Sequence, residues 1–391
     1  GLRVFVGQRV AFVSSSDFSA DALTALPGRA VAMARLAPED KFAGLAPAEK
    51  LARDIPDLDL EDPAEPGAER LIELARAVEG AALAVPGVTN SEGGGASFSR
   101  RAVALATSTG FYGRHAGTSH SIGVAVLAGE GVGMERDYDH ASARHAGDLR
   151  DAAEIGRTAG EKAVKRLNPR KAKSQSVPVV FHPDEAAGLL GHFSGAISGA
   201  SIARGVSFLK DRMGRKVFAP SVRIIDDPHR IRGLRSKPFD GEGVANRRMA
   251  LVEDGVLTTW LLDCASARQL GLETTGHAAR GTGGPPMPST TNLYLEPGTC
   301  TPEALIADIE QGFYVTELMG MGVNGVTGDY SRGAAGFWIE KGKIAYPVSE
   351  VTIAGNLKDM FLNLTPASDL QFRHGTNSPT VRIEGMTLAG S

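Results

Sequence analysis

Period-two alternation interrupted by two-residue turns constrains this chain more than any other feature. Asp254-Gly255 separates Met249–Glu253 from Val256–Leu262, and Lys341-Gly342 separates Phe337–Glu340 from Lys343–Tyr346. A short turn between alternating apolar segments predicts an antiparallel hairpin. Leu2–Ser15 repeats the pattern around Gly7-Gln8, and Ala96–Phe111 and Ser121–Leu127 alternate over longer stretches. These read as antiparallel strands with one wet face. Helical spacing predicts helices over Asp21–Leu36, broken at Pro27, over Ala68–Glu79, over Ala141–Leu167 and over Asp184–Arg212. Short helices are expected at Ala265–Leu270 and Pro302–Gln311.

The expected fold class is α+β. With 391 residues the chain is too long for one ordinary core. The segment Asn168–Pro178 (NPRKAKSQSVP) holds two prolines and no apolar periodicity, so it reads as a linker. It divides the chain into an N-terminal α/β domain with an antiparallel sheet, residues 1–170, and a C-terminal domain, residues 178–391. The second is mainly antiparallel β and carries one glycine-rich helix, in which Gly188, Gly191, Gly195 and Gly199 recur at three- and four-residue intervals. Glycine costs up to about 1 kcal/mol inside a helix, so the run needs a reason. Close packing of a small-residue face against a sheet supplies one.

Composition narrows the function. A formal net charge of −3 excludes a protein that holds DNA by overall charge. The two cysteines, Cys264 and Cys300, form no C-x-x-C pair, which excludes a zinc ribbon or thioredoxin motif and suits reduced thiols in a cytoplasmic protein. No apolar run is long enough to span a membrane, and the first residues have no signal-peptide layout. Gly1 opens in mid-strand, so an earlier segment is expected to precede it.

Several local motifs read as structure. Gly320-Met-Gly322-Val-Asn-Gly325 matches G-x-G-x-x-G, but no helix pattern follows it, so it reads as a glycine-rich turn. Lys162, Lys165, Arg166, Arg170, Lys171 and Lys173 form a basic run without interleaved aromatic residues. The acidic stretch Asp54, Asp57, Asp59, Glu61 and Asp62 lacks EF-hand spacing. Asp137, Asp139, His140, His145 and Asp148 are read as polar residues around a helix start. His182-Pro-Asp-Glu185 reads as the start of the glycine-rich helix.

The strings GLRVFVGQRVAFVSSSDFS, MERDYDHASARH, GVNGVTGDYSRGAAGFWIE and YPVSEVTIAGNLKDMF resemble the TldD/PmbA family, also called modulators of DNA gyrase, over nearly the whole chain. The resemblance is closest to the PmbA/TldE branch. It implies a cytoplasmic two-domain subunit that pairs with a TldD-like paralogue as a zinc-dependent peptidase. Peptide-antibiotic maturation and antitoxin turnover are the roles it implies. The family's metal motif is H-E-x-x-x-H with a further cysteine near the C-terminus. Aligned with the glycine-rich helix, the motif has His192 at its first position, Phe193 where the glutamate belongs and Ile197 where the second histidine belongs. The tail Pro366–Pro379 holds no cysteine. Phenylalanine and isoleucine neither bind zinc nor move a proton. The reading is therefore a subunit with no metal ligands and no catalytic residue of its own, its zinc carried by the TldD-like partner. A homodimer is the alternative assembly left open when that partner is absent. Its ligand would be an unfolded peptide, with Asn324, Asp329, Tyr330 and Arg332 in the glycine-rich loop as candidate contacts. Two alternatives stay open: a self-sufficient peptidase with an unrecognised site, and a modulator that binds gyrase or DNA.

Overall fold

A computed structural model describes residues 1–390. Strands β1 (Leu2–Val6) and β2 (Arg9–Val13) form an antiparallel hairpin turning at Gly7, where φ is 62°. Helix α1 (Ala20–Leu36) packs on it, with Ser19 Oγ accepting from the Ala22 amide. Pro27 lies inside α1 and does not end it. The missing proline N–H frees the carbonyl of Leu23, which is exposed and open to water, so the break expected there is avoided.

Helix α2 (Ala68–Leu83) leads into a three-stranded antiparallel sheet of β3 (Val88–Ala106), β4 (Tyr112–Ala128) and β5 (Glu135–Ala143), followed by helix α3 (Ala152–Lys165). Ile122, Val124 and Val126 of β4 point inward on alternate positions and meet Val78, Ala82, Ile155 and Ala159 of the two helices. The helices touch at Gly156, where an added Cβ would stand 2.2 Å from the Val78 carbonyl oxygen. The long helix expected over Ala141–Leu167 starts only at Ala152. Residues 135–143 pair with β4 along their whole length, and Asp151 caps the helix by accepting from the Glu154 amide.

The connector is shorter than expected, because β6 (Gln175–Phe181) starts before Pro178 and includes it. Next come α4 (Pro183–Ala196) and the single-turn α5 (Gly199–Ala203). The helix expected over Asp184–Arg212 breaks between these two, because the Gly199 amide donates to the Leu261 carbonyl of a neighbouring segment. Then follow β7 (Ile224–Asp227), β8 (Met249–Glu253), β9 (Val256–Leu257), α6 (Cys264–Leu270), the short pair β10 (Ala278–Ala279) and β11 (Met287–Pro288), β12 (Asn292–Leu295) and α7 (Pro302–Ile306). The chain ends with β13 (Gln311–Met319), β14 (Asp329–Glu340), β15 (Lys343–Asn356), α8 (Leu357–Leu362), β16 (Leu364–Pro366), β17 (Thr376–Asn377) and β18 (Val381–Ala389). Helix α7 stops at Ile306 and Gln311 already opens β13, which shortens the helix expected over Pro302–Gln311. Both hairpin turns form as expected, with positive φ at Asp254, Gly255, Lys341 and Gly342.

Two sheets sandwich α4. One has the order β17-β12-β7-β8-β9. In the other, β15, β14, β13, β6 and β18 are neighbours in turn, and β18 pairs back onto β15 at Thr352–Ala354. The second sheet is thereby a closed ring, with β6–β13 its parallel pair. Leu189, Leu190, Phe193 and Ile197 of α4 are buried in the core it encloses, where Phe193 meets the edges of Phe218 and Phe361.

Candidate functional site

The other face of α4 is the candidate site. His182 starts the helix, its Nδ1 accepting from the Asp184 amide, with Pro183 in the first turn. Glu185, Gly188, His192 and Gly195 follow at spacings of three or four and so share one face. A Cβ added at Gly188, Gly191 or Gly195 would meet nothing within 4 Å. The close packing expected of this glycine run is found only at Gly199, where a Cβ would stand 2.6 Å from Leu262 Cδ2 and Ser266 Oγ. Gly191 and Gly195 flatten the floor of a cleft of about 280 Å³. His192, Phe208, Val323, Arg332 and Leu357 form its walls.

Loop 320–328 and β14 supply the opposite side. The loop joins two strands, β13 and β14, so the G-x-G-x-x-G string is a turn, as its context implied. Asn324 Oδ1 accepts from the amides of Val326 and Thr327. Asp329 accepts from Thr327 Oγ1 at 2.5 Å and from Asn356 Nδ2 at 3.0 Å. Both side chains therefore shape the loop. Tyr330 and Arg332 project from one face of β14, two residues apart. Tyr330 is buried edge-on to His192, with ring centroids 6.0 Å apart, and its hydroxyl has no hydrogen-bond partner. Arg332 is half-buried and lines the cleft. Its Nε donates to the Met319 carbonyl at 3.1 Å, and among the described residues no carboxylate stands within ion-pair distance of it.

Electrostatics set the character of the cleft. Burial, then the guanidinium of Arg332, holds His192 below its ordinary pKa. Burial pushes the Glu185 carboxyl up to about 7; neighbouring Asp184 adds to the shift and Arg332 opposes it. Burial also raises the Tyr330 phenol. The result is a largely apolar groove with one unpaired cation and a neutral imidazole.

A zinc ion does not fit this donor set. His192 is flanked on its face by glycines, and Arg332 beside it repels a cation. Phe193 and Ile197 are fully buried on the core side of α4. Cys264 lies under Glu242; burial, reinforced by that carboxylate, raises its thiol, which disfavours the thiolate that binds metal. Cys300 is half-buried beside the Pro366 carbonyl. Among the described residues no three His, Cys, Asp or Glu side chains converge as a metal site.

The remaining sequence clusters disperse into separate contacts. Asp137 and Asp139 lie on β5 and not at the start of a helix; Asp137 meets Lys162 and Arg166, and Asp139 meets Arg150. His145 contacts Asp59, while Asp59 and Asp148 both bind Arg232. In the basic run, Lys162 and Arg166 are in ion pairs, Lys171 pairs with Glu350, and Arg170 stacks over Tyr346 at 4.3 Å. A second polar group was not foreseen as a unit. Asp184 bridges His182 and His374 at 3.4 Å each, and His374 lies 5.2 Å from the His140 ring. The pairing of Glu185 with His192 on one face was legible as a spacing of seven, two helical turns.

Comparison with known proteins matches both halves of the chain. The family model of the PmbA/TldA metallopeptidase central domain matches residues 61–167, and that of the C-terminal domain matches residues 174–390. Metalloprotease PmbA of Escherichia coli O157:H7 is 41% identical over 100% of this chain and 85% of its own length. The PmbA homologue of Haemophilus influenzae is 37% identical over the same shares. Among solved structures, a candidate modulator of DNA gyrase from Bacteroides thetaiotaomicron superposes with a TM-score of 0.90 at 27% identity, covering 100% of this chain and 87% of that one. TldE from Thermococcus kodakarensis gives 0.86 at 23% identity, covering 99% and 89%, and shares the fold. With matches to both domain models and a 41% identical relative along its entire length, the chain belongs to the PmbA/TldD metallopeptidase family.

Proposed function

We propose that this chain is the non-metal-binding subunit of a TldD/TldE-like cytoplasmic peptidase. It pairs with a TldD-like paralogue that carries the zinc, and it lines the chamber in which an unfolded peptide is held for cleavage. One observation carries the reading: the helix that would bear the metal motif turns core residues where ligands would stand and offers an open, glycine-floored cleft instead. A hydrolytic zinc site needs three protein donors and a water position. This cleft has one imidazole and a guanidinium. Of the four candidate contacts, Arg332 faces the peptide, Tyr330 supports His192 from beneath, and Asn324 and Asp329 fix the loop.

No observation favours the self-sufficient peptidase. The nucleic-acid alternative is disfavoured because half of the basic run is in ion pairs and Arg170 is stacked on Tyr346. The test is zinc content and hydrolysis of an unfolded peptide, for the chain alone and mixed with a TldD-like paralogue. The expected result is zinc and cleavage in the mixture only. Stoichiometric zinc on the chain alone would overturn the proposal.

A further inference from the structure

We infer that the cleft between α4 and β14 captures the C-terminal end of the peptide, with Arg332 holding its terminal carboxylate. This rests on the peptide-holding reading above and assigns the substrate's orientation.

The argument starts from charge. A half-buried guanidinium with no carboxylate partner is an incomplete pair. Planar, forked donors match a carboxylate better than any neutral group. Nε is engaged by the Met319 carbonyl, which fixes the side chain and leaves the terminal nitrogens for a ligand. Apart from His192 and Ser201, the rest of the side-chain lining is apolar: Phe208, Val323 and Leu357 face the cleft. A free anion such as phosphate would leave those apolar walls exposed to water, and an apolar ligand would leave the cation unpaired. A carboxylate attached to an apolar residue satisfies both.

The floor distinguishes a peptide from a small fatty acid. Gly191 and Gly195 present bare backbone to the cleft along one turn of helix. Absent side chains let a main chain approach closely, whereas an alkyl tail gains nothing from the missing contacts. At the rim Met321 is 94% exposed, and its flexible thioether can adapt to different side chains. Such a cleft reads the end of a peptide and its backbone with little regard to sequence.

The experiment uses the full chain and fluorescence-anisotropy competition. Three probes are compared: an unstructured peptide ending in leucine as the free acid, the same peptide as its amide, and octanoate. The acid is expected to bind about ten- to a hundred-fold tighter than the amide, the range of a charge-assisted bond. Octanoate is expected to bind more weakly than the acid peptide. Arg332→Gln should abolish the preference for acid over amide, and Arg332→Lys should retain part of it. Gly195→Leu fills the cleft where a side chain meets nothing, so the protein folds and both peptides lose binding. Equal binding of acid and amide, with loss of both in Gly195→Leu, overturns the carboxylate assignment and leaves the peptide cleft standing. Octanoate binding as tightly as the peptide overturns the peptide assignment. Failure of every probe on the folded chain overturns both.

Discussion

Glu185 carries its proton further up the pH scale than a solvated glutamate, because burial and the adjacent Asp184 outweigh Arg332. Glu317 adds to the shift, and Lys162 opposes it. The sign of its effect on stability follows. Below the ordinary pKa of 4.5 the group is protonated whether folded or not. Between 4.5 and about 7 the folded chain keeps a proton that the unfolded chain releases, so stability falls as pH rises through that window. Above 7 the full penalty remains. Glu185→Gln removes the ionisation, so its urea midpoint should rise above wild type at pH 8, by on the order of 1–2 kcal/mol, and match wild type near pH 4. An identical difference at both pH values would show that Glu185 is not held protonated. Asp184 behaves oppositely. The hydrogen bond from His374 leads the causes that hold it below the ordinary carboxylate range, so its contribution is lost as pH falls.

Helix α4 is polarised by its glycines, and the two ends of the run answer differently to a methyl group. Gly191→Ala should stabilise the chain by about 0.5–1 kcal/mol, since the new Cβ meets open cleft and helix propensity improves. Gly199→Ala should destabilise it by about 1–3 kcal/mol, since Leu262 and Ser266 occupy that space. Thermal unfolding of the two variants gives the comparison; shifts of the same sign would contradict the assigned packing. From the sequence, the glycine spacing located this helix but not its use. The same pattern serves tight contact or an open floor, and only the neighbours decide. Hairpins were legible because turn dipeptides act locally. The stretch 141–151 was not, because its alanines and polar residues suit helix or strand equally; pairing with β4 takes residues 141–143, and a loop with one tight turn at Ala146–Asp148 leads to α3. Its one local sign was the Asp151 and Glu154 cap. Arg332 was legible as a polar residue in a glycine-rich loop. Its lack of a partner was not, since that depends on chain segments far away.

Across the whole molecule, the β3–β5 layer is tied to a loop of the C-terminal half by an arginine whose partners are backbone carbonyls. Arg144, just after β5, donates to the carbonyls of Thr118 at 3.0 Å, Gly233 at 3.3 Å and Leu234. Arg144→Ala strands these acceptors and should cost about 2–3 kcal/mol in chemical denaturation. A loss under about 0.5 kcal/mol would mean that water replaces the side chain. The closed ring also has a bearing on synthesis. Strand β6 ends at Phe181, and its partner β18 begins two hundred residues later, at Val381. The β3–β5 layer and its helices lie within about a hundred residues of one another and can form as they leave the ribosome. The ring cannot close until β18 has emerged. Until β13 emerges β6 has no neighbour, and until β18 follows one of its edges stays open, so the nascent chain exposes an apolar strand edge to misassociation.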